Sequence, residues 1–294
     1  MAFPIVTRTL HRHVDIDGLR VFYRESVPET EQAPVLLLLH GFPSASHQYR
    51  RLVDALGAHY RLIAPDMPGF GHSDVPEGEL TFDRLADVMA GFVERLRLDH
   101  FVLYVFDYGA PVGFRLALRH PERIAGLVVQ NGNAYEEGLS PIMRNLIALR
   151  PGPDGEKAAR EMLTLPTTRH QYEAGTTDVR LVSPDSWVLD QYFLDKPERA
   201  RPQIELLLDY GSNVGHYPEW QEWLRTAQPP MLITWGRDDM FFPEPGARAY
   251  LRDLPDAELY VYPTGHFALE EYLPEIAPLI AGFLDRVWKT VSPR

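Results

Sequence analysis

The chain has 294 residues, no cysteine and a formal charge of −12. Without cysteine it carries no disulfide, no thiolate metal site and no thiol nucleophile. With no basic stripe and no Lys/Arg run longer than Arg50-Arg51, nucleic acid is not an expected partner.

The apolar content of 45% is enough for a sizeable core, and the length suits one large α/β domain or a core domain carrying an insertion. The opening "MAFPIVTRTLHRHV" has no long apolar stretch, which argues against a signal peptide. The longest clean apolar run, Val35–Leu39, falls far short of a membrane span. A soluble, cytoplasmic protein is expected, monomeric or homodimeric, with no membrane partner.

The first readable element is "VDIDGLRVFYRE", which alternates around Asp17-Gly18 and predicts a hairpin. Six short apolar runs follow as strands: Val35–His40, Tyr60–Asp66, Phe101–Asp107, Ile124–Gly132, Met231–Gly236 and Ala257–Pro263. Continuous rather than alternating apolarity suits strands covered on both faces, as in a parallel sheet. Helical periodicity fills Gln48–Leu56, Phe82–Leu96, Val112–Arg119, Ala247–Leu254 and Tyr272–Trp288. This alternation of strand and helix predicts an α/β fold built on a mostly parallel sheet flanked by helices.

From about Tyr135 to Thr226 no convincing strand occurs. The segment holds helical fragments, many prolines and the aromatics Tyr172, Trp187, Tyr192, Phe193, Tyr210, Tyr217, Trp220 and Trp223. So long an interval between strands is not a plain loop. It reads as a helical cap inserted into the core, giving core residues 1–134, a cap over 135–226 and the rest of the core over 227–294. The plainer alternative is a second packed helical layer.

Four candidate functional stretches follow predicted strands, where ligands of open α/β sheets bind. The strand "YVFDYGAP" ends on a carboxylate, Asp107, and burying a charge is costly unless it is solvated, paired or used. Gly109 and Ala110 permit a sharp strand-to-helix turn, and Pro111 is tolerated in a first helical turn, whose N–H groups lack helical partners. The helix N-terminus favours an anion there. A simple helix cap is the competing reading of Asp107. The others are "HGFPSAS" (His40–Ser46), "WGRDDMFFP" (Trp235–Pro243) and "PTGHFALEE" (Pro263–Glu271). A further loop, "APDMPGFGHSD" (Ala64–Asp74), is expected to be structural.

Together these motifs resemble the α/β-hydrolase superfamily from about Val35 to the C-terminal helix. "VFDYGAP" is similar to its nucleophile elbow, usually G-x-S-x-G, with Val105 at the first glycine position and Asp107 in place of serine. That aspartate, with the His-Gly-x-Pro pattern at His40–Pro43, resembles the epoxide hydrolase and haloalkane or haloacetate dehalogenase branch. The resemblance implies Asp107 as nucleophile, His266 as general base, Asp239 as the orienting acid with Asp238 its competitor, and backbone N–H groups of Phe42 and Tyr108 as an oxyanion hole.

An aspartate attacking an ester carbonyl would form an anhydride. Attack on saturated carbon forms an ordinary alkyl ester, which water activated by His266 can hydrolyse. Such chemistry suits a halide or a strained C–O bond as leaving group. Dehalogenases of the branch usually place a tryptophan after the nucleophile, or arginines to hold a carboxylated substrate. Here Tyr108, Pro111 and Phe42 stand at the relevant places, which favours an epoxide. Epoxide hydrolases supply two cap tyrosines as donors to the leaving oxygen. Tyr210 is the expected second, and Tyr172 is the candidate for the first, with Tyr135 and Tyr192 as substitutes. The lid aromatics suggest a small apolar organic substrate, with water as second reactant and neither metal nor organic cofactor. Dehalogenation is the alternative reading, and a non-catalytic binding member of the fold a remoter one.

Overall fold

The computed structural model describes residues 6–291. Eight strands form one sheet: β1 (Thr9–Ile16), β2 (Leu19–Ser26), β3 (Val35–Leu39), β4 (Arg61–Pro65), β5 (Phe101–Phe106), β6 (Ile124–Gln130), β7 (Met231–Gly236) and β8 (Glu258–Tyr262). Their order across the sheet is β1-β2-β4-β3-β5-β6-β7-β8. β1 and β2 pair antiparallel, as do β2 and β4, and every later neighbour is parallel. The predicted hairpin turns on Asp17 and Gly18, whose φ values of 51° and 84° are those a two-residue turn between twisted strands requires.

Five helices belong to the sheet: α1 (Arg50–Leu56), α2 (Phe82–Arg95), α3 (Gly109–Arg119), then α10 (Pro245–Asp253) and α11 (Ala268–Val291) late in the chain. Between β6 and β7 come α4 (Pro141–Ile147), α5 (Pro153–Glu161), α6 (Leu165–Glu173), α7 (Pro184–Leu194), α8 (Pro197–Asp209) and α9 (Gly211–Ala227), with no strand among the described residues. None of the described helices is long and apolar enough to cross a membrane.

The apolar runs read as strands because both of their faces are covered. Leu37, Leu39, Leu103, Val105, Leu127 and Val129 pack with α2 and α3, whereas Leu36, Leu38, Val102, Tyr104 and Val128 pack with α1 and α11. The period of two thus survives as a division between two cores, although every position is apolar. The edge strands β1 and β8 are much more exposed than β3 to β7.

Two helices begin three or more residues earlier than their periodicity suggests. α3 starts at Gly109 rather than Val112, because Pro111 lies in its first turn, where a missing N–H breaks no helical bond. α11 starts at Ala268 rather than Tyr272. It kinks at Tyr272 (φ −108°, ψ 18°), just ahead of Pro274, which cannot donate to the carbonyl of Glu270.

Candidate functional site

The site lies at the carboxyl ends of β3, β5, β6 and β7. Asp107 follows β5 with φ +48°, a left-handed backbone that a residue with a Cβ adopts only where its surroundings enforce it. The turn drives its side chain against the loop after β3. A Cβ on Gly41 would sit 2.3 Å from the Cβ of Asp107, so only glycine allows this approach. The next residue, Phe42, then donates its backbone N–H to Asp107 Oδ1 at 2.7 Å. The Tyr108 N–H also supports the carboxylate, from the start of α3. Of the two N–H groups expected of an oxyanion hole, that of Phe42 is hydrogen-bonded to the Asp107 carboxylate and that of Tyr108 favours its charged form.

The loop at Ala64–Asp74 supports this arrangement. Asp66 accepts the N–H groups of Ser46 and His72, each at 2.7 Å, and the Met67 N–H donates to His40 Nε2 at 2.9 Å. It thereby holds the His40-Gly41-Phe42 turn, the structural role its sequence suggested.

His266 approaches Asp107 from the other side, with Nε2 3.8 Å from Asp107 Oδ2. That is too long for a hydrogen bond, and Nε2 has no hydrogen-bond partner among the described residues. Nδ1 lies 2.7 Å from Asp239 Oδ2. A carboxylate can only accept, so the ring proton sits on Nδ1 and the Nε2 lone pair is left available as a base. Asp238, the competitor, lies outward and pairs with Arg237.

Electrostatics suit that assignment. Burial pushes the Asp107 carboxyl up to about 6, against the opposing pull of His266 and the two backbone N–H groups. Burial alone would lower His266. The charge and hydrogen bond of Asp239, with the charge of Asp107, outweigh it and leave the imidazole above its ordinary value.

Asn131 was not singled out from the sequence, yet it sets the acid in place. Standing just after β6 with φ +43°, it donates Nδ2 to Asp239 Oδ2 at 2.8 Å, and its Oδ1 accepts the Gly236 N–H at 2.9 Å. The Phe241 N–H completes the clamp by donating to Asp239 Oδ1 at 2.8 Å. The available signal was a polar residue closing a buried strand, as at Asp107.

A small cavity opens beside Asp107. Phe42, Tyr108, Tyr210 and Phe241 line it near the carboxylate, and Met143, Met162 and Leu207 add apolar wall. Gln171 also faces it, a residue that nothing in its local sequence marks out. Among the described residues, no three His, Asp or Glu side chains form a metal-ligand set.

Tyr210 stands in that cavity, at the break between α8 and α9. Its neighbours fix it to the sheet domain: Asp209 accepts the Phe82 N–H at 2.9 Å, and Asn213 accepts from Arg115 at 2.7 Å. The Tyr210 ring packs on Tyr108 and Phe82, with centroids 5.8 and 5.7 Å away. Burial first, then the charges of neighbouring groups including Asp107, hold its hydroxyl well above its ordinary value. At neutral pH it is a donor.

Tyr172 does not join it. Its hydroxyl donates to Asp190 Oδ2 at 2.6 Å, and its ring stacks on Phe267 at 3.7 Å. A hydroxyl engaged there cannot also face the cavity, which corrects the expectation of Tyr172 as the first cap donor. The substitutes fail too. Tyr135 donates to Asp253 at 2.7 Å, and Tyr192 is 59% exposed on the surface.

Comparison with known proteins agrees with this architecture. Residues 34–272 match the family described as the alpha/beta hydrolase fold. An uncharacterized hydrolase of Saccharomyces cerevisiae is 39% identical over 268 residues, covering 89% of this chain and 92% of the yeast protein. A haloalkane dehalogenase of Mycobacterium marinum is 40% identical over 121 residues, or 40% of each chain. The solved haloalkane dehalogenase DatA of Agrobacterium tumefaciens C58 superposes with a TM-score of 0.76 at 24% identity, over 95% of this chain and 97% of DatA. A mostly parallel sheet, a sharp turn after β5 and a match over most of the sequence place the chain in the α/β-hydrolase fold family, as a hydrolase related to the haloalkane dehalogenases.

Proposed function

We propose that this hydrolase opens an epoxide through a covalent ester on Asp107, which His266 and Asp239 then hydrolyse to a vicinal diol. In this scheme residues 135–226 serve as a cap over the sheet. The observation that carries the reading is the Tyr210 hydroxyl, a protonated donor on the wall of the cavity beside Asp107. The side chains of Phe42 and Tyr108, by contrast, supply no N–H to receive a halide.

Asp107 Oδ1 is held by the Phe42 N–H, so Oδ2 is the free nucleophile. Oδ2 bonds to an epoxide carbon, the strained C–O bond breaks, and its electron pair moves to oxygen, which takes the Tyr210 proton. Nε2 of His266 then removes a proton from water. The resulting hydroxide attacks Cγ of Asp107, and the N–H groups of Phe42 and Tyr108 hold the oxyanion that forms on Oδ1. Collapse breaks the ester C–O bond, and the alkoxide takes the proton from His266 to give the diol. The proton left on the Asp107 carboxyl returns to Tyr210. Epoxide and water are consumed and the enzyme is restored, with no cofactor drawn upon. The apolar cavity wall supports a small apolar epoxide as substrate.

His266→Gln tests the reading, since it removes the base but leaves the nucleophile. With styrene oxide it should accumulate an adduct on the Asp107 peptide equal to the mass of the whole epoxide, read by peptide mass spectrometry. The likeness to haloalkane dehalogenases favours a second reading, displacement of halide by the same carboxylate. An adduct carrying only the alkyl group of an alkyl bromide, with bromide released, and none from styrene oxide would decide for that reading. Tyr210→Phe should slow epoxide opening about 100-fold, on the scale of one lost transition-state donor. An unchanged single-turnover rate would remove Tyr210 from the mechanism.

A further inference from the structure

We propose that the side-chain amide of Gln171 is the other donor to the leaving oxygen, in the role expected of the first cap tyrosine; this rests on the epoxide reading above. Gln171 is 1% exposed and lines the same cavity as Asp107 and Tyr210. Its Nε2 is buried with no hydrogen-bond partner among the described residues. A buried amide N–H without a partner is destabilising, and native proteins seldom keep one without a use. The polar side chains beside it on α6 are satisfied: Thr168 donates to Gln191 at 3.0 Å and Tyr172 to Asp190 at 2.6 Å.

The surroundings of α6 hold Gln171 in position. Its neighbour Tyr172 is fixed between Asp190 and Phe267, and Asp190 is itself held by His47 at 2.8 Å. Just beyond the helix, the chain packs onto the loop that carries His266. A Cβ on Gly265 would lie 1.9 Å from the Ala174 carbonyl oxygen, so only glycine permits that contact. Glu271 accepts the Asp178 N–H at 2.8 Å and the Thr177 hydroxyl at 2.9 Å, and Thr264 also donates to it. The helix that presents Gln171 is therefore joined to the base loop, and the donor is placed before substrate arrives.

An amide differs from a tyrosine in what it can do. It donates a hydrogen bond to developing alkoxide but does not release a proton, so proton transfer falls to Tyr210 alone. The two donors thus have unequal roles, one supplying the proton and one holding the oxygen.

The test uses the full-length protein in the His266→Gln background, where ester formation can be followed by itself. Gln171→Met keeps the volume and removes the N–H groups. It should slow adduct formation from styrene oxide about 100-fold without lowering the melting temperature, because an unpartnered amide has been replaced by an apolar chain. An unchanged adduct rate in Gln171→Met overturns the assignment. So does a slowed rate that comes with a lowered melting temperature, since that marks a structural amide. If Tyr108→Phe shows the loss and Gln171→Met does not, the other donor is Tyr108 and the assignment falls. If the His266→Gln parent itself forms no adduct with styrene oxide, the epoxide reading fails first and takes this role with it.

Discussion

Asp107→Asn is expected to abolish turnover and to raise the melting temperature. An amide is no nucleophile, so the loss should reach about 10⁴-fold or more, the scale seen when a nucleophile is deleted. The folded state should nevertheless gain. The carboxyl is pushed from its ordinary 3.8 up to about 6, chiefly by burial, so ionising it works against folding. A rise of that size corresponds to at most about 3 kcal/mol, part of which His266 offsets when it loses a charged neighbour. The sign follows from the raised value. Stability is full while the group is protonated in both states, and it is lost as pH rises from the unfolded value to the folded one. The asparagine variant escapes that loss, so its advantage should be absent below about pH 4 and complete above about pH 6. Asparagine also tolerates the φ of +48° better than most residues and can still accept the Phe42 N–H. Melting curves on either side of that window, with product assays, check both halves. Residual activity would mean that another group attacks, and an unchanged melt at neutral pH would mean that the carboxylate is not desolvated.

The strained, buried charge that makes this prediction possible was also what made the site legible. Asp107 ends an unbroken apolar strand, and a carboxylate in that position needs a reason. His266 and Asp239 also follow predicted strands, but it was the resemblance to the α/β-hydrolases that gave them their roles. The sheet itself was readable because β3 to β7 are covered on both faces, leaving continuous apolar runs between helical stretches. Asn131 follows the same pattern at the end of β6, but an amide carries no charge and so raises no electrostatic alarm. Gln171 could not be read at all. Which face of α6 meets the cavity is decided by Asp190, Phe267 and the Gly265 contact, all distant in sequence. The same distance explains the choice of Tyr172. A tyrosine was sought, and nothing local shows that its hydroxyl is already engaged by α7.

Asp239→Asn should separate the two half-reactions. Asp107 keeps its carboxylate and its backbone donors, so ester formation should stay within about threefold of the parent, while ester hydrolysis falls about 10³- to 10⁴-fold, as when a triad carboxylate becomes an amide. The cause lies in the number of donors around Asp239. Oδ2 accepts from both His266 and Asn131, and Oδ1 accepts from the Phe241 N–H. An amide has one acceptor oxygen. If it faces Phe241, its NH₂ opposes Asn131 and forces Nδ1 of His266 to accept, which puts the ring proton on Nε2 and removes the base. If it faces His266, the Phe241 N–H is left without an acceptor and the imidazolium loses its counter-charge. Either orientation disables hydrolysis. The pH dependence should move as well. Hydrolysis needs neutral His266, whose protonation Asp239 and Asp107 favour, so the parent loses this step as pH falls through the raised imidazole value. Esterification already neutralises Asp107 and eases that limit. Removing the Asp239 charge takes away the remaining support, so the acid limb of the slow residual hydrolysis should lie at lower pH than in the parent. Single-turnover mass spectrometry of the Asp107 peptide across pH measures both steps. An ester that breaks down at the parent rate would show that Asp239 has no part in orienting the base, and an ester that never forms would show that the acid also governs the nucleophile.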